Sequence, residues 1–375
     1  MSYYILPKNN NIIDIDPCIQ SNPLKPYICF SLYYFYHNLK KENSILLESK
    51  ICDEIIKIIN PYEFIFSVIP GTKITISKLS LFPSNFYDFL EIVYTLNVFE
   101  FLQNKNISSI HISPNYSSSI ECMEILREGK IDTNIGVNNL ICENYKEKEF
   151  DFIFYELPNE MYENQQIYTI NMLIILKFIL KSQMRNGGCI IKISMLFYKS
   201  IIDIIYLLSS MYEKVYIIKP NTSSIIKFEK YIVCKGFILN EKKTVVYHNY
   251  FTKINSFLNE YFIKIDDDTL HLNSPSPSPS VNGLISYIIK EDIPFYFISK
   301  IDDINIIIGQ QLLEAMNMLV NIIKNKNRDI KLDNIKKMNI QKCIQWCEKF
   351  NIPCNKFIEK SNIFLRGIEN EMESS

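Results

Sequence analysis

The sequence predicts an α/β protein whose central sheet is mostly parallel and carries helices on both faces. Between residues 105 and 240, short β-type runs alternate with helical segments, as expected of parallel strands joined by crossover helices. The 375 residues suit two domains or one large domain with extensions. Hydrophobic residues at 47%, charged residues at 22% and a net charge of -1 exclude disordered, collagen-like and coiled-coil chains.

The predicted elements follow in order along the chain. The expected strands are Ser109–Ser113, Asp151–Glu156, Cys189–Ser194, Lys214–Lys219 and Lys230–Phe237, and the helices between them are Ser118–Glu128, Gln166–Arg185 and Tyr198–Tyr212. Outside this region the patterns favour helices at Tyr27–Leu39, Ser44–Ile59, Ile304–Lys324 and Asn339–Phe350. We therefore expect an N-terminal helical extension over 1–60, a central domain over 61–245 and a mostly helical C-terminal region over 246–375. The repeat SPSPSPS follows an acidic run and predicts a flexible insert at 264–283.

Other features exclude several classes of protein. The start of the chain lacks the pattern of a signal peptide, and the apolar run Ile167–Leu180 is too short to span a bilayer. We therefore expect a cytoplasmic protein without a membrane partner. Ten cysteines without a CxxC pair favour free thiols over structural zinc, so no metal is expected. The near-neutral charge confines any nucleic-acid surface to a local patch.

Glycine is scarce, with nine residues in the chain, so each retained glycine is informative. Gly187 and Gly188 are expected to end a helix and turn the chain into a strand. Lys192 follows in that apolar strand, where burial without a partner is costly. It is either a strand-end lysine that reaches solvent or a buried functional group. Glu229, which opens a later strand, is placed to approach it across the sheet edge.

The segment from Asn186 to Phe237 resembles the FtsJ-type RNA ribose 2′-O-methyltransferases, especially the cap-methylating branch. The family pattern has two glycines and a lysine on one strand, then a KP turn and a strand carrying a glutamate. The counterparts here are Gly187, Gly188, Lys192, Lys219, Pro220, Ser223, Glu229, Tyr231, Ile232 and Val233. The resemblance covers roughly residues 78–240 and implies a Rossmann-like S-adenosylmethionine-dependent methyltransferase fold, with helical N- and C-terminal extensions. Such proteins are common in large cytoplasmic DNA viruses, which would place the chain in a viral factory or virion.

The resemblance also implies a catalytic group. The family uses a Lys-Asp-Lys-Glu tetrad to orient a ribose hydroxyl and handle its proton. Lys192 and Glu229 match the second lysine and the glutamate, and Glu156 falls on the aspartate. Asp88 or Phe89 stands where the family has its first lysine. Three carboxylates around one lysine would raise the pKa of that lysine.

The cofactor loop implied by the resemblance is Ser113, Pro114, Asn115, Tyr116 and Ser117, with Asn115–Tyr116 in place of the family's glycines. The implied cofactor is S-adenosyl-L-methionine, and the N-terminus of the following helix would face its carboxylate. RNA, including capped mRNA, is the implied partner, with Lys219, Lys227 and Lys230 as candidate contacts. Those lysines are otherwise solvated side chains on a lysine-rich protein.

Three functions remain open at this point. The first is an active RNA 2′-O-methyltransferase, with Lys192 as base or steering group. The second is a pseudo-methyltransferase that serves as an RNA-binding or stimulatory subunit of a capping assembly. The third is an unrelated nucleotide-binding α/β protein. Two further residues have structural interpretations: His111 as a hydrogen-bonded core histidine, and Trp346 as the anchor of the last helix.

Overall fold

A seven-stranded sheet forms the centre of the molecule. The computed structural model describes residues 2–79, 82–103, 105–138, 148–269, 283–325 and 328–355. The strands are β1 (Ser2–Ile5), β2 (Ile15–Gln20), β3 (Ser108–Ile112), β4 (Thr133–Val137), β5 (Phe150–Tyr155), β6 (Gln183–Ile193), β7 (Tyr212–Lys219), β8 (Lys230–Phe237) and β9 (Leu284–Ile289). The large sheet has the order β1-β7-β8-β6-β5-β3-β4, and β2 pairs with β9 in a separate antiparallel ribbon.

Strand direction divides the large sheet into two halves. Strands β4, β3, β5 and β6 are mutually parallel, whereas β8 runs antiparallel between β6 and β7. Four parallel strands followed by β8, which is antiparallel to both of its neighbours, are consistent with a Rossmann-like methyltransferase fold. The predicted fold class is therefore confirmed. Strand β1 adds an antiparallel edge beside β7, which the sequence patterns did not indicate.

Helices cover both faces of the sheet. They are α1 (Phe30–Glu42), α2 (Ser44–Leu47), α3 (Lys50–Ile59), α4 (Ser84–Leu96), α5 (Tyr116–Leu126), α6 (Gln165–Ser182), α7 (Lys199–Met211), α8 (Glu241–Thr269), α9 (Phe295–Lys324) and α10 (Arg328–Lys349). Helices α6 to α9 pack on one face around Ile153 and Ile191, while α4, α5 and α10 pack on the other around Phe152 and Ile190. The alternation along β5 and β6 thus sends neighbouring side chains into two cores.

The regions outside the sheet differ in detail from the predictions. The first 60 residues contain the expected helices but also β1 and β2, which pair with β7 and β9. Residues 264–269 of the predicted insert continue helix α8, and residues 270–282, which include the Ser-Pro repeat, lie outside the described residues. Helix α9 has the length and apolar composition of a membrane span. It also packs Ile301, Ile304 and Ile308 into the core.

Gly187 and Gly188 do not end a helix, so the predicted C′ role is wrong. Helix α6 ends at Ser182, and both glycines lie within β6. The left-handed residue is Asn186, with φ 61. Gly187 is needed for a different reason, because a Cβ there would lie 2.6 Å from the carbonyl oxygen of Asp151. The glycine therefore permits close approach of the backbone to β5.

Candidate active site

The sheet topology brings three predicted residues to one edge. Glu156 directly follows β5, and Lys192 is the penultimate residue of β6, so both lie at the carboxyl end of a parallel strand. Glu229 directly precedes β8, which runs antiparallel to β6 with Lys230 opposite Ile193. The start of β8 therefore meets the end of β6 at the edge where α/β sheets bind ligands.

Lys192 is buried between two carboxylates. Its Nζ lies 2.8 Å from Glu156 Oε1 and 3.4 Å from Glu229 Oε2. The Lys192 side chain is only 7% exposed, which excludes the interpretation of a strand-end lysine reaching solvent. Burial alone would lower the pKa of Lys192, but Glu156, Glu229 and the more distant Asp88 outweigh it and raise the pKa above its usual range. Lys192 is therefore a charged hydrogen-bond donor at neutral pH.

Each carboxylate of this group has a second partner. Ser113 Oγ donates a hydrogen bond of 2.9 Å to Glu156 Oε2, which joins the end of β3 to the end of β5. Lys227 Nζ lies 3.3 Å from Glu229 Oε1. Burial tends to raise the pKa of Glu229, but Lys192, Lys227 and Lys219 hold it below its usual range. Glu229 is thus arranged to stay ionised beside a charged lysine.

Asp88 lies near this group but does not pair with Lys192 within the described residues. On the buried face of α4, it accepts hydrogen bonds from Thr222 Oγ1 at 2.5 Å and from Tyr231 Oη at 3.1 Å. Burial raises the pKa of Asp88 to about 7. Asp88 is therefore a buried group that is about half neutral near pH 7. Neither the contribution of Thr222 nor that of Tyr231 was predicted.

The predicted cofactor loop lies at the end of β3. Ser113 is buried, and its Oγ also accepts the amide of Asn115 at 3.1 Å, so this side chain supports Glu156 and shapes the turn. Pro114, Asn115 and Ser117 are exposed beside the N-terminus of α5. The Tyr116 ring lies against Gly136 of β4, where an added Cβ would be 2.0 Å from the ring. Tyr116 thus occupies space at the carboxyl end of β4.

The three candidate RNA-binding lysines have different environments. Lys230 is fully buried and donates to the carbonyl oxygens of Ser194 and Phe228, so the prediction that it contacts RNA is wrong. Lys219 is half-buried, and its ammonium group donates hydrogen bonds to three backbone carbonyl oxygens. Lys227, with a side chain 51% exposed, remains available at the rim of the site.

A cleft of about 390 Å³ opens beside Glu229 and Lys227. Helix α1 contributes Tyr36, His37 and Lys40 to its wall, and the Phe228 ring packs edge-on against Tyr36 at a centroid distance of 4.9 Å. The cleft is thus partly aromatic, has cationic groups and reaches the Lys192 group. Sequence patterns gave no signal for it, because its walls come from segments far apart in the chain.

Two structural interpretations are confirmed. His111 is fully buried, with Nδ1 2.8 Å from Ser119 Oγ and Nε2 3.1 Å from Ser109 Oγ, and burial lowers its pKa to about 3. It is a neutral core histidine. Trp346 is 3% exposed, packs against Phe350 and anchors the last helix.

Similarity to known proteins comes from solved structures. Neither a comparison with family models nor one with curated proteins yields a match. Among solved structures, a Plasmodium falciparum protein provisionally described as a ribosomal RNA methyltransferase is 16% identical, with a TM-score of 0.32 over 41% of this chain and 97% of that one. A Streptococcus thermophilus protein provisionally described as a hemolysin is 11% identical, with a TM-score of 0.24 over 51% of this chain and 78% of that one. The fold is therefore assigned from strand order and direction.

Proposed function

We propose that this protein is an FtsJ-like, S-adenosylmethionine-dependent RNA ribose 2′-O-methyltransferase that acts on mRNA caps in a cytoplasmic, viral setting. One observation carries the proposal. Lys192, Glu156 and Glu229 come from three separate strand ends and meet in a buried ion pair network at the ligand-binding edge of the sheet. Buried ion pairs contribute little net stability, so such a group at this edge favours a functional role.

The residues of the chain support a particular division of roles. Because the pKa of Lys192 is raised, this side chain orients a ribose hydroxyl by donating a hydrogen bond, and does not act as the base. Glu229 faces the cleft beside Lys227 and is the better group to accept the hydroxyl proton. Glu156, held by Ser113, fixes the lysine. S-adenosylmethionine would supply the methyl group.

The predicted cofactor-binding turn is suited in part to S-adenosylmethionine. The turn at 113–117 and the N-terminus of α5 offer backbone N–H groups suited to a carboxylate. The Tyr116 ring covers Gly136 and would have to turn away to admit an adenosine along β4. Rotation of one half-exposed side chain is enough to open that space.

The cleft beside Glu229 supports RNA as the acceptor. The half-buried His37 can stack with an unpaired base, and Lys40 and Lys227 can meet phosphates. These contacts would place a ribose next to Lys192.

A second candidate function rests on Tyr116. If the ring holds its place on Gly136, the protein is a pseudo-methyltransferase that uses the cleft as an RNA-binding or stimulatory subunit of a capping assembly. The absence of a lysine at position 88 also favours this alternative, because the buried network then has one cation fewer.

Calorimetric titration with S-adenosylmethionine separates the two candidates. The enzyme is expected to bind with a dissociation constant in the micromolar range, on the order of −8 kcal/mol. A capped oligoribonucleotide serves as the second titrant and should bind under either function. Absence of cofactor binding at millimolar concentration, together with RNA binding, would exclude the enzyme and leave the pseudo-methyltransferase.

A further inference from the structure

The loop that delivers Glu229 is held at its start by a buried carboxylate. This loop joins β7 to β8 and spans residues 220–229. Glu91 of α4 is fully buried, and its Oε2 accepts hydrogen bonds from the amides of Asn221 at 3.0 Å and Thr222 at 3.4 Å. These two hydrogen bonds to a buried side chain fix the start of the loop to α4.

The rest of the loop is held by a lysine. Lys219 Nζ donates to three carbonyl oxygens of the loop, those of Ser224 at 3.0 Å, Lys227 at 2.8 Å and Glu229 at 2.9 Å. A buried carboxyl group therefore accepts hydrogen bonds from the loop's N–H groups, and an ammonium group donates to its carbonyl groups. The position of the Glu229 carboxylate relative to Lys192 depends on both.

Trp346, which lies in helix α10, connects that helix to Glu91 and the loop. Its indole Nε1 donates a hydrogen bond of 3.1 Å to Glu91 Oε2, the oxygen that holds the loop. The other oxygen, Glu91 Oε1, has no partner among the described residues. Burial raises the pKa of Glu91, and the hydrogen bonds to Oε2 from Asn221, Trp346 and Thr222 act against that rise. Each donor to Oε2 therefore matters for keeping this buried carboxyl group in place.

The same network continues to the edge of the Lys192 group. Thr222, whose amide bonds Glu91, donates through its hydroxyl to Asp88, and Tyr231 donates to the other oxygen of Asp88. Asp88 in turn acts electrostatically on Lys192. A hydrogen-bonded path thus runs from α10 through Glu91 and Thr222 to Asp88, and from there the coupling to Lys192 is electrostatic.

We propose that Trp346 is a positioning residue for the Lys192 centre, acting through Glu91 and the 220–229 loop. The C-terminal helix is then part of the machinery that orders the site, in addition to covering the core. The catalytic part of this proposal rests on the proposed function. The structural part, in which Trp346 holds the 220–229 loop through Glu91, requires no activity.

Hydrogen–deuterium exchange tests the structural part. Trp346→Phe keeps an aromatic ring and removes the donor, so the amides of Asn221 and Thr222 should exchange about 10-fold faster, with the β6 amides unchanged. Phe350→Leu is the matched control, because Phe350 packs on Trp346 and does not bond Glu91. Unchanged exchange in Trp346→Phe, or equal acceleration in both variants, would overturn the proposal.

A second measurement uses the only tryptophan in the chain, whose indole N–H gives a single resonance in a ¹H–¹⁵N spectrum. Thr222→Val alters the far end of the network and should shift that resonance. Thr244→Val, at an exposed helix start, should not. If the indole resonance does not shift in Thr222→Val, the proposed coupling between Trp346 and the loop is contradicted. This holds even if Trp346→Phe fails to fold.

Catalysis provides the third readout. Trp346→Phe should lower kcat for methyl transfer about 10-fold without changing the KM for S-adenosylmethionine, since the cofactor turn lies on another element. A rise in KM alone would contradict a positioning role. If the wild-type protein transfers no methyl group, the proposed function fails, and the exchange and resonance measurements still decide the role of Trp346.

Discussion

At the residue scale, Lys192 determines how the site is interpreted. A lysine with a 7% exposed side chain needs partners, and the two carboxylates at 2.8 and 3.4 Å satisfy that need. The network raises the pKa of Lys192, as expected for a lysine surrounded by carboxylates. Under the proposed function, a charged Lys192 would orient the substrate and a carboxylate would take the proton.

Lys192→Met is expected to destabilise the fold by on the order of 3 kcal/mol, because it leaves Glu156 and Glu229 without their buried cation. Urea denaturation measures the change. Lys227→Met removes the exposed partner of the same Glu229 and should cost less than about 1 kcal/mol. Equal losses in the free energy of unfolding of the two variants would show that the Lys192 network is in contact with water.

Asp88 predicts a dependence of stability on pH. Burial raises its pKa from 3.8 to about 7, so the folded state holds a proton that the unfolded state has released. The stability contributed by this group is fully present below pH 3.8 and is lost as the pH rises toward 7, with an upper limit on the order of 4 kcal/mol. Asp88→Asn should therefore gain stability relative to the wild type between pH 5 and pH 8 in parallel urea titrations. A constant difference would show that Asp88 is already ionised at pH 5.

At the element scale, the β3–α5 turn and strand β4 decide whether the cofactor has room. The sequence placed residues 113–117 at the end of a strand, which the structure bears out. It gave no sign of β4, because Thr133–Val137 contains a glycine and is only partly buried. The contact between Tyr116 and Gly136 therefore lay beyond sequence reasoning.

Tyr116→Ala is expected to tighten the binding of S-adenosylmethionine by about 10-fold, equivalent to ~1.4 kcal/mol, because it clears the face of Gly136. Calorimetric titration gives the dissociation constants. Ile125→Ala, which removes an exposed side chain from the same helix, should leave them unchanged. Weaker binding in Tyr116→Ala would mean that the ring contacts the cofactor.

The substitution Gly187→Ala tests how closely β6 packs against β5. An added Cβ would lie 2.2 Å from Gln183 Nε2 and 2.6 Å from the Asp151 carbonyl oxygen, so Gly187→Ala should cost about 1–3 kcal/mol. The loss appears as a lower urea midpoint. Gly188→Ala, whose nearest contact is 3.0 Å, should lose less. The reverse order would contradict the close approach at Gly187.

At the scale of the whole molecule, alternation of strands and helices predicted five of the seven strands of the large sheet, and the helices on its two faces. The pattern at Lys192 and Glu229, together with the family resemblance, also predicted the ion pair network. The remaining contacts could not be predicted, because they join distant segments without a local signal. Trp346 and Glu91 are 255 residues apart in sequence, and Thr222 meets Asp88 across 134. Such contacts are set by helix docking and not by periodicity.

Methyl transfer to RNA tests the central claim most directly. Purified protein is incubated with methyl-labelled S-adenosylmethionine and a capped oligoribonucleotide, and nuclease digestion then locates the label. The account predicts label on a ribose 2′-oxygen with the wild type, at least about 100-fold less with Lys192→Met, and near-normal transfer with Lys253→Met, whose lysine pairs with Asp14 outside the site. Label on a base, or undiminished transfer by Lys192→Met, would contradict it.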